Sequence, residues 1–298
     1  MTDSFSGFKH FKSGRPGRHI NGVIGGKGPP LLLLHGYPQT HMMWHKVTPD
    51  LARQHTVIAA DLIGYGDSDK PPSDASHTAF SKRAMADDLI HLMSHLGFQQ
   101  FAVVGHDRGG RVAHRMAVDH PTAVKALAVL DIAPTREMYA NVSDDFARAY
   151  WHWYFLIQPA PFPERMISAD SDAYMMHKLG LGTSSMEIFT PEALQSYLTA
   201  FRNPETVRAS TEDYRAAATI DLEHDEFDIQ QGNRVQCPLL ALWGLNGVIE
   251  RCFDALTLWR QRATNVQGDA IPGGHYLAEE HPDLVNEKLL PFLEKFGA

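Results

Sequence analysis

The stretch Phe101-Ala102-Val103-Val104-Gly105-His106-Asp107-Arg108-Gly109-Gly110-Arg111 constrains this chain more than any other. An apolar, β-branched run stops at a glycine, a polar residue follows, and two more glycines lead into an amphipathic segment. That is the sequence form of a strand, a tight turn and a helix. The spacing G-x-D-x-G is that of a nucleophile elbow, with aspartate in the place where serine usually stands. The small flanking residues matter because the central residue sits in a strained turn that Cβ atoms would crowd. A carboxylate held there attacks as an oxygen nucleophile and forms an ester. The remaining chain must then supply a base, an acid to orient it and a substrate pocket.

Residues 7–24 alternate with Gly/Pro punctuation, which predicts a hairpin at a sheet edge. Leu31-Leu32-Leu33-Leu34 reads as a buried strand entering the loop His35-Gly36-Tyr37-Pro38, and a helical pattern covers 41–53. Thr56–Ala60 is a second buried strand, ending at Asp61. Residues 79–96 carry apolar positions at helical spacing with Gly97 as the stop. A helix over 109–119 follows the elbow, and Val124–Ile132 is another apolar run, carrying Asp131 near its C-terminal end. Strands alternating with helices imply right-handed βαβ units and a mostly parallel sheet. In such sheets the site lies at the C-terminal strand ends, where His35, Asp61, Asp107 and Asp131 all fall.

The texture changes over about 135–232, where strand patterns vanish and helical segments rich in aromatics and Met take over: 143–157, 163–180, 191–201 and 204–219. This predicts a helical cap (135–232) inserted into a core made of 1–134 and 233–298. The βαβ rhythm resumes with a strand over 238–244, a helix near 250–261, a short strand near 265–270, the turn Pro272-Gly273-Gly274-His275 and a helix to 296.

At 298 residues the chain can bury a large core, and 44% hydrophobic with 21% charged residues is ordinary for a soluble enzyme. The net charge of -8 argues against nucleic acid or an anionic membrane as partner, although a pocket can still be locally basic. Cys237 and Cys252 lack a C-x-x-C pattern and read as reduced structural thiols of a cytoplasmic protein. The first residues show no secretory signal, and no run reaches transmembrane length. The 17 histidines are scattered without ligand spacing, so neither a metal site nor a cofactor is expected.

His275, after a Gly-Gly turn, can reach the elbow and activate water, because imidazole titrates near neutrality. One histidine among many is otherwise a plain loop residue; the chain order nucleophile, acid, histidine favours catalysis. The acid is a choice. The loop after the penultimate strand reads Trp243-Gly244-Leu245-Asn246-Gly247, whose first carboxylate is Glu250, so Asp131 is the better candidate, against a plain loop or capping aspartate. The backbone N–H groups of Tyr37 and Arg108 would form an oxyanion hole. Arg108 and Arg111 lie one helical turn apart; guanidinium forks bind carboxylates, the alternative being structural pairing with core acids. Tyr150-Trp151-His152-Trp153-Tyr154-Phe155 packs five aromatics around a histidine. Such residues are usually core, but His152, Trp153 and, on a later helix, Tyr214 are neutral donors that could hold a leaving anion.

Together G-H-D-R-G-G-R, H-G-Y-P-Q-T, D-L-I-G-Y-G-D-S, L-D-I-A-P-T, W-H-W-Y-F, E-D-Y-R-A-A-A-T-I-D and G-G-H-Y-L resemble the fluoroacetate dehalogenases of the α/β-hydrolase superfamily, near haloalkane dehalogenases and epoxide hydrolases. The resemblance spans nearly the whole chain and implies the α/β-hydrolase fold. It implies that Asp107 displaces halide from a haloacetate to leave a glycolyl ester, which Asp131 and His275 hydrolyse with water to release glycolate. Arg108 and Arg111 would hold the substrate carboxylate, and His152, Trp153 and Tyr214 the halide. A homodimer is a further implication. The main rival is an epoxide hydrolase, which uses the same Asp-His-acid logic with cap tyrosines such as Tyr150 and Tyr154. A haloalkane dehalogenase, like an epoxide hydrolase, needs no paired arginines. A silent binding protein of the same fold should have lost one member of the constellation. Asp107 at the elbow excludes a serine-type esterase.

Overall fold

The computed structural model describes residues 4–296. Its sheet has eight strands in the order β1-β2-β4-β3-β5-β6-β7-β8. The strands are β1 (Lys9–Arg15), β2 (Arg18–Gly26), β3 (Pro30–Leu34), β4 (Thr56–Ala60), β5 (Phe101–His106), β6 (Val124–Leu130), β7 (Leu239–Gly244) and β8 (Val266–Ile271). The hairpin β1–β2 and the β2–β4 pair are antiparallel, and every other pairing is parallel. Leu31–Leu34 and Val57–Ala60 are fully buried, as strands covered by helices on both faces must be.

The chain leaves β3 for β4 on one side, then returns to place β5 on the other side of β3. That reversal opens a crevice beyond the C-terminal ends of β3 and β5, the usual ligand position in open α/β sheets. Asp107 ends β5, and the loop carrying Tyr37 follows β3, so both border the crevice.

The helices of the α/β part are α1 (Thr48–Leu51), α2 (Lys82–His95), α3 (Arg108–Asp119), α12 (Val248–Cys252), α13 (Ala255–Arg262), α14 (Leu277–Glu280) and α15 (Pro282–Phe296). Between β6 and β7 run α4 (Thr135–Ala140), α5 (Asp144–Ala149), α6 (Trp151–Leu156), α7 (Phe162–Ala169), α8 (Ser171–Leu181), α9 (Pro191–Phe201), α10 (Pro204–Ala218) and α11 (Ile220–Gln231). No helix among the described residues is long and apolar enough to cross a membrane.

Several helices expected as single pieces are broken, each for a local reason. The pattern over 41–53 divides into a 3-10 turn at His41–Trp44, capped by the Thr40 side chain, and the short α1. The segment 143–157 breaks at Tyr150, whose backbone leaves the helical region at φ -108°, ψ 34°. In 163–180 the break is Asp170, whose side chain turns to cap α8 at Ala173 N–H. Asp254 divides α12 from α13 in the same way, accepting from Thr257 N–H.

Helix α11 was not expected beyond residue 219. Its buried residues are Asp221 and Asp228, while Phe227 is exposed, so its hydrophobic pattern is inverted. The acids are buried because each is paired: Asp221 accepts from Lys82 N–H, and Asp228 from Arg115. A reading based on apolar periodicity cannot see such a helix.

The elbow depends on contact too close for side chains. Asp107 holds φ 45°, ψ -113°, far from the regions L-residues prefer. A Cβ on Gly105 would meet Gly109 O at 2.4 Å, and one on Gly109 would meet Leu34 O at 2.4 Å and His35 O at 2.5 Å. These obstacles are backbone and cannot swing aside. Gly109→Ala should therefore destabilise the protein by about 3 kcal/mol. Urea unfolding checks this; a loss below about 0.5 kcal/mol, an ordinary surface effect, would show that the elbow is looser than its geometry states.

Candidate active site

Of the residues expected from chain order, the structure joins the acid and the histidine. His275 Nδ1 donates to Asp131 Oδ2 at 2.5 Å. Because a carboxylate oxygen can only accept, the proton is on Nδ1 and Nε2 is free to take one from water. Asp131 Oδ1 accepts from Gly244 N–H at 3.0 Å, at the end of β7. The penultimate strand thus supports the acid with backbone instead of supplying it. Glu250, the other candidate, is exposed and bonded to Trp243 Nε1, away from His275. Asp131 has a φ of 51°, a second strained carboxylate opposite the elbow.

Asp107 is buried, and Tyr37 N–H donates to its Oδ1 at 2.9 Å. This is half of the expected oxyanion pair. The matching bond from Arg108 N–H is not formed among the described residues. Burial alone would raise the Asp107 carboxyl, but the fields of His275, His106, Arg111 and Arg108 outweigh it and hold it at about 2. Burial pulls His106 down to about 3, so that ring is neutral and the arginines supply the permanent part of the field.

The two arginines stand on the first turn of α3 and are almost fully buried. Arg108 takes the structural role weighed for it and keeps one nitrogen unpaired. Its Nε and Nη2 grip the Asp213 carboxylate at 2.9 and 2.8 Å, and Nη2 also donates to Asp213 C=O at 2.9 Å. Its Nη1 is buried with no protein partner. Arg111 has no acid partner at hydrogen-bond distance; Nη1 donates to Ala133 C=O and Thr135 Oγ1, and Nη2 points at Met138 Sδ. Its Nε is likewise buried and unpartnered.

The aromatic donors lie against these cations. The Arg108 guanidinium carbon is 4.1 Å from the centroid of the Tyr214 ring, and that of Arg111 is 4.8 Å from the Trp153 ring. Tyr37 stacks on His152 with centroids 6.0 Å apart, and Tyr214 packs edge-on to both. Trp153 Nε1, Tyr214 Oη and His152 Nδ1 are all buried without partners. Burial drives His152 well below its usual range and Tyr214 well above, so both are neutral. A buried donor left unpaired costs about 1–3 kcal/mol. Five of them around one carboxylate therefore mark a place built to receive something else.

Not every strand-end residue joins in. Asp61 binds His41 and Asn21, and His35 ties Leu62 N–H to Gly36 C=O of its own loop; neither side chain bonds Asp107 among the described residues. Four contributors had no sequence signal. Asp213 also accepts from Tyr65 Oη at 2.7 Å and from Lys82, which makes it the anchor of Arg108. Lys82 and Tyr65 complete that buried network. His106 Nε2 donates to His275 C=O at 2.8 Å and so fixes the histidine loop. Asp213 is 105 residues from Arg108, and no local spacing announces such a pair.

The ion network and the orphan donors should respond oppositely to mutation. Asp213→Ala leaves Arg108 buried without its counter-charge and Lys82 with Asp221 alone, at 3.4 Å, and should cost about 3–5 kcal/mol. Tyr214→Phe removes an unpartnered hydroxyl and should leave stability unchanged or slightly raised. Chemical denaturation of both variants checks this contrast; a destabilised Tyr214→Phe would mean that its hydroxyl is satisfied in the folded protein.

Comparisons with known proteins identify the family. A family model described as the α/β hydrolase fold matches residues 29–282. A fluoroacetate dehalogenase from Burkholderia sp is 48% identical over 275 residues, covering 92% of this chain and 90% of its own. A soluble epoxide hydrolase from Corynebacterium sp. (strain C12) is 34% identical over 283 residues, covering 93% and 94%. A solved structure from Nostoc sp PCC 7120, described as an α/β hydrolase, matches at a TM-score of 0.94 with 51% identity, covering 96% of this chain and 98% of that one.

Proposed function

The chain belongs to the α/β-hydrolase fold family, and from that premise we propose that this hydrolase removes halide from haloacetates to give glycolate. Asp107 attacks the α-carbon in line with the carbon–halogen bond. The halide leaves with the bonding pair, and a glycolyl ester forms on Asp107. His275 then takes a proton from water, Asp131 holds the imidazole that has gained it, and hydroxide adds to the ester carbonyl. Tyr37 N–H, already bonded to Asp107 Oδ1, is placed to stabilise the charge that develops there. Collapse expels the alkoxide, which takes the proton held by His275 and leaves as glycolate, and loss of the remaining proton to solvent restores the Asp107 carboxylate. No metal or cofactor enters the scheme, and the helices of 135–232 act as a cap that excludes water. A cytoplasmic homodimer completes the proposal and rests on the family resemblance.

One observation carries the reading: the two kinds of unpartnered donor beside Asp107. Arg108 Nη1 and Arg111 Nε are charged and suit a carboxylate, whereas Trp153 Nε1, Tyr214 Oη and His152 are neutral and suit a compact departing anion. Fluoride concentrates its charge and leaves poorly, so several donors aimed at it lower the barrier where the charge appears. An epoxide hydrolase is the second reading, favoured by Tyr150 Oη, 3.5 Å from His275 Nδ1, and by the buried unpartnered Tyr154 Oη. A neutral epoxide has no use for two buried guanidinium groups.

The test is to trap the ester. His275→Ala incubated with fluoroacetate or chloroacetate should gain one carboxymethyl group per chain, located on Asp107 by peptide mapping. An adduct elsewhere, or conversion of epoxides with none of haloacetates, rejects the proposal. In the wild-type protein the single-turnover rate of halide release, which reports ester formation, should stay flat over roughly pH 5 to 8. A carboxyl held at about 2 is ionised throughout that window and loses its charge only as pH falls towards that value. A rate that falls below roughly pH 6 would show a nucleophile with a raised pKa.

A further inference from the structure

Resting on the haloacetate reading, we propose that Lys178 is the guiding cation of the access path, taking the carboxylate of an incoming haloacid in the cavity and passing it inward to Arg108 and Arg111. A cavity of about 520 Å³ opens beside His275, with Tyr150, Lys178, Gly182, Asn246 and Arg251 in its wall. His275, bonded to Asp131, lines that cavity whereas Asp107, Arg108 and Arg111 do not, which makes the cavity the outer end and the arginines the inner end of the proposed path.

Lys178 lies in the last turns of α8 and is only 4% exposed. Lysines this buried are ordinarily paired with an acid. Among the described residues, Lys178 makes neither an ion pair nor a hydrogen bond. The charge it feels most is Asp107 itself, which opposes the effect of burial; the balance holds the ammonium at about 8. Its field also reaches His152, helping to keep that ring neutral. Lys178 therefore lines the outer cavity while acting electrostatically on both the nucleophile and a proposed halide donor.

The chain's formal charge is -8, which repels a small anion at long range. A cation within the path offsets that repulsion where it matters, and one left unpaired can bind and release. An ammonium suits this better than a guanidinium fork, because it is a point charge on a flexible stem. Retaining it unpaired in a buried wall costs stability, and only a role in the path explains the retention.

The experiment measures kcat and KM for chloroacetate with the wild-type protein, Lys178→Gln, Lys178→Met and Lys178→Arg, at low and high ionic strength. Gln and Met should raise KM about tenfold at low ionic strength, the scale of one charge-assisted contact, with kcat within about twofold. Arg should recover most of the loss, and the gap should narrow as salt screens the charge. Lys178→Met should also unfold at a temperature no lower than the wild type, since it removes an unpaired buried charge. Unchanged KM in the Gln variant, or an Arg variant no better than Gln, overturns this inference alone. Wild-type protein that releases no halide overturns the haloacetate reading together with it.

Discussion

Among the described residues, the Arg108–Asp213 pair is the most deeply buried of several ion pairs that join the α/β part to the helices between β6 and β7. Arg108 follows the nucleophile on α3, beyond the C-terminal end of the central strand β5, and Asp213 lies on α10, among the helices inserted between β6 and β7. A bidentate grip with both partners fully buried cannot form until those helices are seated. Once formed, it fixes the orientation of a guanidinium whose remaining nitrogen points at the site. Tyr214, the next residue, is carried to the Arg108 ring contact by the same helix turn. Docking of the helical layer and completion of the site are thus one event.

A second constraint operates on the sheet side. Asp107 and Asp131 both have positive φ, at the ends of the adjacent parallel strands β5 and β6. Each is held there by neighbours: Asp107 by the glycine contacts around the elbow, Asp131 by Gly244 N–H and by its own N–H to Leu242 C=O. Strain of about 1–3 kcal/mol per residue survives only where surroundings over-determine the backbone. Here the surroundings are the most buried part of the sheet. The His275 loop is then fixed from both sides, by Asp131 at the ring and His106 at the carbonyl.

What the sequence revealed follows from how local each signal is. The elbow, the buried strands and the order of nucleophile, acid and histidine are short-range patterns, and the structure brings the residues they marked together. The choice of Asp131 over Glu250 was legible because the loop after β7 lacks a carboxylate close enough to matter. Helix breaks at Tyr150 and Asp170 were not, since each depends on a backbone turn that apolar periodicity ignores. The paired acids of α11 and the Asp213 network were illegible for a deeper reason. A buried charge is recognisable only from its partner, and the partners lie on segments distant in sequence. Lys178 had the same handicap, as a lysine in a helix with nothing nearby to distinguish it.

The electrostatics of the proposed reaction explain why so much charge is buried at one point. Nucleophile and substrate are both carboxylates, and two unit negative charges 4 Å apart repel by about 4 kcal/mol at an effective dielectric of 20. The nucleophile cannot avoid this by protonating, because a neutral carboxyl does not attack. Two cations remove the repulsion, provided that neither is consumed by a structural acid. Arg111 meets that condition with neutral partners only, and Arg108 meets it by presenting a third nitrogen beyond the two that Asp213 occupies. One cation could neutralise the substrate or sustain the ionised Asp107. Both tasks together require two, and the single turn of α3 that separates positions 108 and 111 places them side by side.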